Sequence, residues 1–215
     1  MGARSETAVP DALSARIGPQ ARAKLAAARV GIAGAGGLGS HIAVFLARSG
    51  VGRLHVVDFD VVDESNLNRQ HYRREHVGMP KVEALARQIE EIDPRVEVAA
   101  ERLRVEPGCA AAVFAGEELV CEAFDDPVAK AALASELLAR DARTVVVSGN
   151  GMAGLGPAEE MEVRRVGGRL FVCGDGAADI ADAGALFAPR VALCAAQQAL
   201  CVLRIILGEE KGTRA

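Results

Sequence analysis

The chain has no tryptophan, one tyrosine and six phenylalanines among 215 residues, so aromatic packing cannot build its interior. Ala, Val, Leu and Ile must do so, a mixture suited to helices laid on a largely parallel sheet. It also lacks a positive surplus. Against 29 Asp and Glu stand 25 Lys and Arg, a formal net charge of -4, which leaves no basic footprint for a nucleic-acid backbone. No stretch approaches the roughly 18 uninterrupted apolar residues of a bilayer-spanning helix, and residues 1–16 lack the apolar core of a signal peptide. These absences lead us to expect a cytoplasmic protein with neither nucleic acid nor membrane as partner. The five cysteines (109, 121, 173, 194 and 201) form no C-x-x-C pair and have no His at metal spacing, so neither a zinc site nor a thioredoxin-like motif is written here. Buried thiols in a reducing compartment behave as small hydrophobes. Cys194 and Cys201, seven residues apart on a predicted helix, should share one stripe.

What the sequence does have is order. Its length suits one large α/β domain, read as a single unit with a helical lead-in (1–28), a nucleotide-binding core (29–149) and a hairpin with a long helix (150–215). The lead-in, residues 11–28, breaks at Ile17-Gly18-Pro19. RVGIAG (29–34) reads as a compact strand, followed by glycines and a helix over 40–50 that Gly50 closes. RLHVVDFD (53–60) is a second strand ending in acids. Pro80 opens a helix that stops before Pro94, and RVEVAAE (95–101) follows as a strand. ELVCEA (118–123) and TVVVSGN (144–150) are buried strands flanking a helix over 127–140. After a loop, 161–166 and 169–173 form a hairpin around Gly167-Gly168, and a long apolar helix covers 188–208. Such alternation implies an α/β fold with a doubly wound, mostly parallel, Rossmann-like sheet and right-handed crossovers.

Gly34, Gly36 and Gly39, with Gly37 between them, spell G-x-G-x-x-G after a strand and before a helix. Small residues there let phosphates approach backbone N–H groups at the positive helix end, although tight packing alone also asks for glycine. Asp58, ending the next strand, is placed to accept from ribose hydroxyls. In the polar stretch 58–70, Asp60, Asp63 and Glu64 read as a solvated loop. Lys81 does not fit that description. A cation in a helix's first turn opposes the macrodipole by up to about 1 kcal/mol, which points to an anionic ligand there. Arg69 offers a planar fork to phosphate and Asn66 an amide. Asp125 is either a helix N-cap ahead of Pro127 or free, and Asp126 is the better cap.

Taken together, GAGGLG, DFD, SNLNRQ and Pro80-Lys81 resemble the adenylating domain shared by ubiquitin-activating (E1-like) enzymes and the bacterial activators of sulfur carriers in thiamine and molybdopterin synthesis. EAFDD (122–126) with Lys130, and LFAPRV (186–191), extend the resemblance over nearly the whole chain. LARSGVGRL, SNLNRQ, EAFDD and the GDG of 174–176 look most like the short thiamine-type branch. The resemblance implies ATP and Mg2+ as cofactors, with Gly34, Gly36, Gly37, Gly39, Asp58, Asp60, Asn66, Arg69 and Lys81 around the nucleotide. Asn66, Arg69 and Lys81 would serve the triphosphate, and Asp125 would hold Mg2+ beside the α-phosphate. The implied reaction adenylates the C-terminal carboxylate of a small ubiquitin-like sulfur-carrier protein ending in Gly-Gly, before a separate donor supplies sulfur. It also implies a homodimer in which an N-terminal arginine, Arg16 or alternatively Arg22, reaches the other subunit's ATP.

Two departures matter. The chain lacks the paired-cysteine zinc site of longer relatives, and Ala181 and Asp182 stand where some relatives carry a sulfur-transfer cysteine. Covalent thiol chemistry is therefore not expected. Other readings explain less. A nicotinamide-dependent oxidoreductase shares the glycine fingerprint but leaves Arg69 and Lys81 unexplained and gives the lone Tyr72 no hydride-site company. The acidic balance opposes a tRNA-modifying relative, and a noncatalytic scaffold would keep every phosphate residue without purpose.

Overall fold

The computed structural model describes residues 8–177 and 184–209; Ala181 and Asp182 lie outside them. Two helices, α1 (Ala8–Ile17) and α2 (Pro19–Ala27), meet at Gly18, the break that the Gly-Pro pair predicts. Then come β1 (Arg29–Ala33), α3 (Gly37–Arg48), β2 (Arg53–Val57), α4 (Lys81–Ile92), β3 (Glu97–Glu101) and the short α5 (Ala110–Val113). The chain continues with β4 (Leu119–Glu122), α6 (Pro127–Arg140), β5 (Val145–Gly149), β6 (Glu162–Val166), β7 (Leu170–Gly174) and α7 (Ala188–Leu207).

The seven strands form one sheet in the order β3-β2-β1-β4-β5-β7-β6. Every pairing is parallel except the β6–β7 hairpin. Side chains of successive strand residues point to opposite faces, and the core divides accordingly. Val30, Ile32, Leu54 and Val56 join Leu38, Ile42, Leu85 and Val202 from the helices on one face. Ala33, Val57, Val120 and Val146 pack with Phe114, Leu133 and Leu137 on the other. Phe114 is wholly buried, with Phe124 packed at the margin of the same, otherwise aliphatic, layer.

Two details differ from the sequence reading. Helix α3 begins at Gly37 and not after the glycines, because Gly39 already packs in the first turn against the carbonyl of Gly34. A Cβ at Gly39 would lie 1.8 Å from that oxygen. The α5 turn was not expected, since four residues carry too little periodicity to signal a helix.

Helix α7 is long and apolar enough to cross a membrane by length and composition, yet it packs on α3, β5 and β7. Its fully buried Gln198 donates to the carbonyls of Glu122 and Val147, both at 3.0 Å. Cys194 and Cys201 are both buried on its inner face, sharing the stripe that their spacing predicts.

Candidate functional site

Strand order reverses direction at β1, which lies between β2 and β4. A crevice outside the carboxyl ends of the strands is the usual ligand position at such a switch point. Gly34 occupies it with φ +97°, a conformation that glycine adopts freely. Its N–H donates to Val57 O at 2.8 Å. A Cβ there would meet Ala123 O at 2.9 Å and the Phe124 ring at 3.2 Å. The glycine turn is thus wedged between the ends of β2 and β4. Gly36 caps α3 without any side-chain hydrogen bond, and the first bond across the helix start runs from Ser40 N to Gly36 O at 3.1 Å. The preceding N–H groups are left for an anion at the positive end of the helix.

Asp58 fixes this turn. It is 9% exposed; Oδ2 accepts from Ala35 N and Oδ1 from Asp60 N, each at 2.7 Å. A carboxylate has about four acceptor positions, so two bonds hold the loop and capacity remains for hydroxyls. Tyr72 donates to Ala35 O at 2.7 Å, clamping the same turn from below. Burial, with Asp58 nearby, pushes the Tyr72 phenol well above its ordinary value.

Lys81 is 6% exposed and its ammonium donates to Asp60 Oδ2 at 2.8 Å. The anion that its position calls for is therefore present within the chain, and Asp60, read from the sequence as a solvated loop residue, is its counterion. Asp63 caps a short 3-10 turn by accepting from Ser65 N at 2.8 Å, while Asn66 Oδ1 accepts from Asp63 N at 3.2 Å. That turn carries Arg69, whose Nη1 donates to Ser65 O and Asn68 Oδ1. Its other nitrogens have no partner among the described residues, so part of the fork stays available for phosphate.

At the end of β4, two neighbouring acids differ. Glu122 is completely buried, accepts from Phe124 N at 2.7 Å and Ser148 Oγ at 2.6 Å, and pairs with Lys130 Nζ at 2.8 Å. Lys130 also donates to Phe124 O at 3.0 Å. Asp126 is the N-cap of α6, accepting from Ala129 N at 2.7 Å. Asp125 lies between these anchored groups, exposed and without a partner among the described residues. Capping is thus assigned to Asp126, and Asp125 is free.

Mg2+ is commonly bound through one or two carboxylates, with waters and substrate phosphates completing its shell. An unpartnered Asp125 beside the anion-receptive turn fits that requirement. Among the described residues no cluster of three or more His, Cys, Asp or Glu could hold a metal by itself.

Two groups of residues quoted within longer segments of the sequence were given no role there. Arg190 is 6% exposed, donates to Gly156 O and Asp175 Oδ2, and reaches Pro157 O at 3.3 Å. With Leu155, Glu159, Glu160 and Phe187 it lines an open cavity of about 1030 Å³ beyond β5. The predicted glycine-rich groove at 149–156 contributes Gly154 and Gly156 to that wall. The Glu122–Lys130 pair is the other; both residues belong to the EAFDD and Lys130 segment quoted for the resemblance, but their pairing carries no signal in the sequence. Of the cysteines, Cys109 alone is exposed. Burial pushes the Cys121 and Cys173 thiols far up and that of Cys194 up to about 12, which leaves them protonated and poorly nucleophilic.

Arg16 and Arg22 also separate. Arg22 is committed to Gly50 O at 3.1 Å. Arg16, at the end of α1, is exposed with no partner among the described residues. Helix α1 meets the far end of α3, where a Cβ on Gly50 would touch Leu13 at 2.7 Å. At 1.5 Å per residue that end lies about 18 Å from the glycine turn.

Fold and cleft define a Rossmann-like α/β protein with an anion-receptive glycine turn at the switch point of its sheet. Within that class the chain belongs to the ThiF family, whose model matches residues 10–215. It is 37% identical over 116 residues to the adenylyltransferase and sulfurtransferase uba4 of Aspergillus niger, covering 54% of this chain and 24% of the relative. The SAMP-activating enzyme E1 of Haloferax volcanii is 40% identical over 111 residues, or 51% of this chain and 41% of that protein. The chain thus spans less than half the length of these curated relatives. The Escherichia coli tRNA N6-threonylcarbamoyladenosine dehydratase TcdA, solved in complex with ATP, shares the fold with a TM-score of 0.83 at 22% identity, over 94% of this chain and 96% of that one.

Proposed function

We propose that this protein binds ATP with Mg2+ in the cleft and adenylates the C-terminal glycine carboxylate of a small ubiquitin-like sulfur-carrier protein, in the manner of the thiamine-type branch. The observation that carries the reading is what stays uncommitted in the segments that follow β2 and β4: part of the Arg69 fork and the exposed carboxylate of Asp125. A dinucleotide oxidoreductase needs neither. Family membership and relatives named adenylyltransferases support the same chemistry, and the TcdA complex with ATP supports the nucleotide.

In the proposed step a carboxylate oxygen of the carrier forms a bond to the α-phosphorus, the bond from that phosphorus to the bridging oxygen breaks, and pyrophosphate leaves. No protein nucleophile enters, so the work is positioning and charge stabilisation. The N–H groups at the start of α3 and Arg69 receive phosphate oxygens, Asp58 accepts from the ribose, and Asp60 holds Lys81 at the edge of the triphosphate. Asp125 would hold Mg2+, which supplies positive charge to the phosphates. The four buried thiols play no part. They fit a reducing, cytoplasmic setting.

Two subunits complete the proposal. Helix α1, which carries Arg16, packs through Leu13 on the end of α3 away from the glycine turn, and Leu200 on α7, 58% exposed, offers apolar surface for a twofold contact. Arg16→Ala and Asp125→Asn should each be inactive alone and recover activity when mixed; no recovery from subunits shown to exchange removes the shared site. The main test is labelled pyrophosphate exchange into ATP, expected only with a Gly-Gly-ended carrier. Tight NAD binding without ATP binding, or adenylation of a tRNA-linked carboxylate in place of the carrier, would replace this reading.

A further inference from the structure

Gln70 has no role in the reaction as proposed so far, and its side chain is the least accounted for around the cleft. It is 8% exposed, its Oε1 is buried without a hydrogen-bond partner, and no partner for its amide nitrogen is found among the described residues. That nitrogen lies 3.8 Å from where a Cβ on Gly36 would stand. The amide is therefore packed against the uncapped start of α3. Leaving a buried polar group unmatched costs about 1–3 kcal/mol, and such exceptions call for a reason such as a ligand.

The backbone around Gln70 is held firmly. His71 N donates to Ser40 Oγ at 3.0 Å, the ring of His41 contacts Arg69 O at 3.2 Å, and Gln70 N donates to Asn66 O at 2.9 Å. The His41 and His71 rings meet edge to face at 5.3 Å. Residues on both sides of Gln70 are thus fastened to the first turns of α3, which fixes the backbone from which the amide projects. A preorganised donor of this kind is worth most where charge is to be received.

We infer that Gln70 is a further phosphate-binding residue, donating from its side-chain amide to the phosphate nearest the glycine turn, the α-phosphate attached to the ribose that Asp58 receives. The inference rests on the proposed nucleotide site. The donor is the amide nitrogen facing the start of α3; Oε1, an acceptor, is buried and unmatched in the empty protein and is not relieved by a phosphate.

The experiment is calorimetric titration of the full chain with AMP and with ATP and Mg2+, for wild type, Gln70→Leu and Gln70→Glu, beside thermal unfolding without nucleotide. Gln70→Leu should melt at or above the wild-type temperature, because an unmatched polar group is removed, yet bind both AMP and ATP about tenfold or more weakly, the scale for a lost bond to a charged acceptor. Gln70→Glu, nearly isosteric, should lose at least as much affinity because it faces phosphate with a carboxylate. A lower melting temperature with unchanged affinities in both variants would show a purely structural glutamine and overturn the inference. Loss for ATP with none for AMP would overturn the assignment to the α-phosphate. If wild type itself binds no adenine nucleotide, the proposed function falls; if it binds and neither variant weakens it, only Gln70 is reassigned.

Discussion

Glu122 and Asp125 stand three residues apart at the end of β4, yet the fold treats them in opposite ways. Glu122 is sealed from water with a backbone N–H, a hydroxyl and an ammonium on its oxygens, and Asp125 is left in solvent with nothing. The same division runs through the molecule. Behind the sheet ends, Arg190 meets Asp175, and His55 sits between Glu117 and Glu101 at 3.2 and 3.0 Å. Around the glycine turn, Arg69 keeps part of its fork, Gln70 keeps its amide, and the start of α3 keeps its N–H groups. Charges that serve the fold are matched within the chain, because an unmatched buried charge would cost more than the fold can bear. The groups left uncommitted around the glycine turn are those on which the proposed nucleotide site rests.

The comparison breaks most visibly if a matched charge is stripped. Lys130→Met leaves the buried Glu122 without its counter-ion, and should destabilise the protein by about 3–5 kcal/mol, read by urea unfolding. Adding Glu122→Gln should recover much of the loss; a stable Lys130→Met protein would show that the pair is dispensable.

On the unmatched side, Asp125→Asn should unfold with wild-type stability, since no partner is lost, while carrier-dependent pyrophosphate exchange falls by about two orders of magnitude. A drop in stability of similar size to that of Lys130→Met would erase the distinction. Asp58 sharpens it from between, because its carboxylate both ties the turn and faces the cleft. Asp58→Asn turns one acceptor into a donor pointed at an N–H and should cost about 1–3 kcal/mol of stability as well as nucleotide affinity. A change in affinity alone would make Asp58 purely a ligand residue.

The smallest effects belong to histidines. His55 is raised from 6.5 by its hydrogen bond to Glu117 first, with Glu101 assisting and burial opposing. Its stabilisation is complete below pH 6.5 and is lost as pH climbs through the raised folded-state value. His41, beside the cleft, is lowered from 6.5, mainly by burial and then by His71. The fold favours its neutral form, so that contribution is present above pH 6.5 and fades as pH falls through the lowered value. Urea midpoints between pH 5 and 8.5 should therefore flatten on the alkaline side in His55→Gln and on the acid side in His41→Gln. The reverse pattern would contradict both assignments.

Much of the cleft was legible before any coordinates. Gly34, Gly36 and Gly39 declared themselves by position between a strand and a helix, and Asp58 by ending the next strand. Asp126 was recognisable as the cap ahead of Pro127, which left Asp125 free. Lys81 was recognised as a cation in an unfavourable place, but its answer, Asp60, was not, because the two meet only when the 58–70 loop folds back so that Val61 bridges Pro80. Gln70 was quoted as part of SNLNRQ without a role, since an unmatched amide is a property of surroundings and not of residue type.

The sequence by itself determined the alternation of strands and helices, the parallel sheet with its closing hairpin, and the glycine turn between β1 and α3. Each of these follows from local patterns: periodicity, proline and glycine placement, and caps. Only the tertiary structure decided which charges are spent. The β3-β2-β1-β4-β5-β7-β6 order brings Glu122 to Ser148 and Lys130, carries Gln198 under β4 and β5, and sets Arg190 on Asp175. Those pairings join residues far apart in the chain, and hydrogen bonds and ion pairs act only over a few ångströms. Which groups remain free for a ligand is fixed once all the others have met.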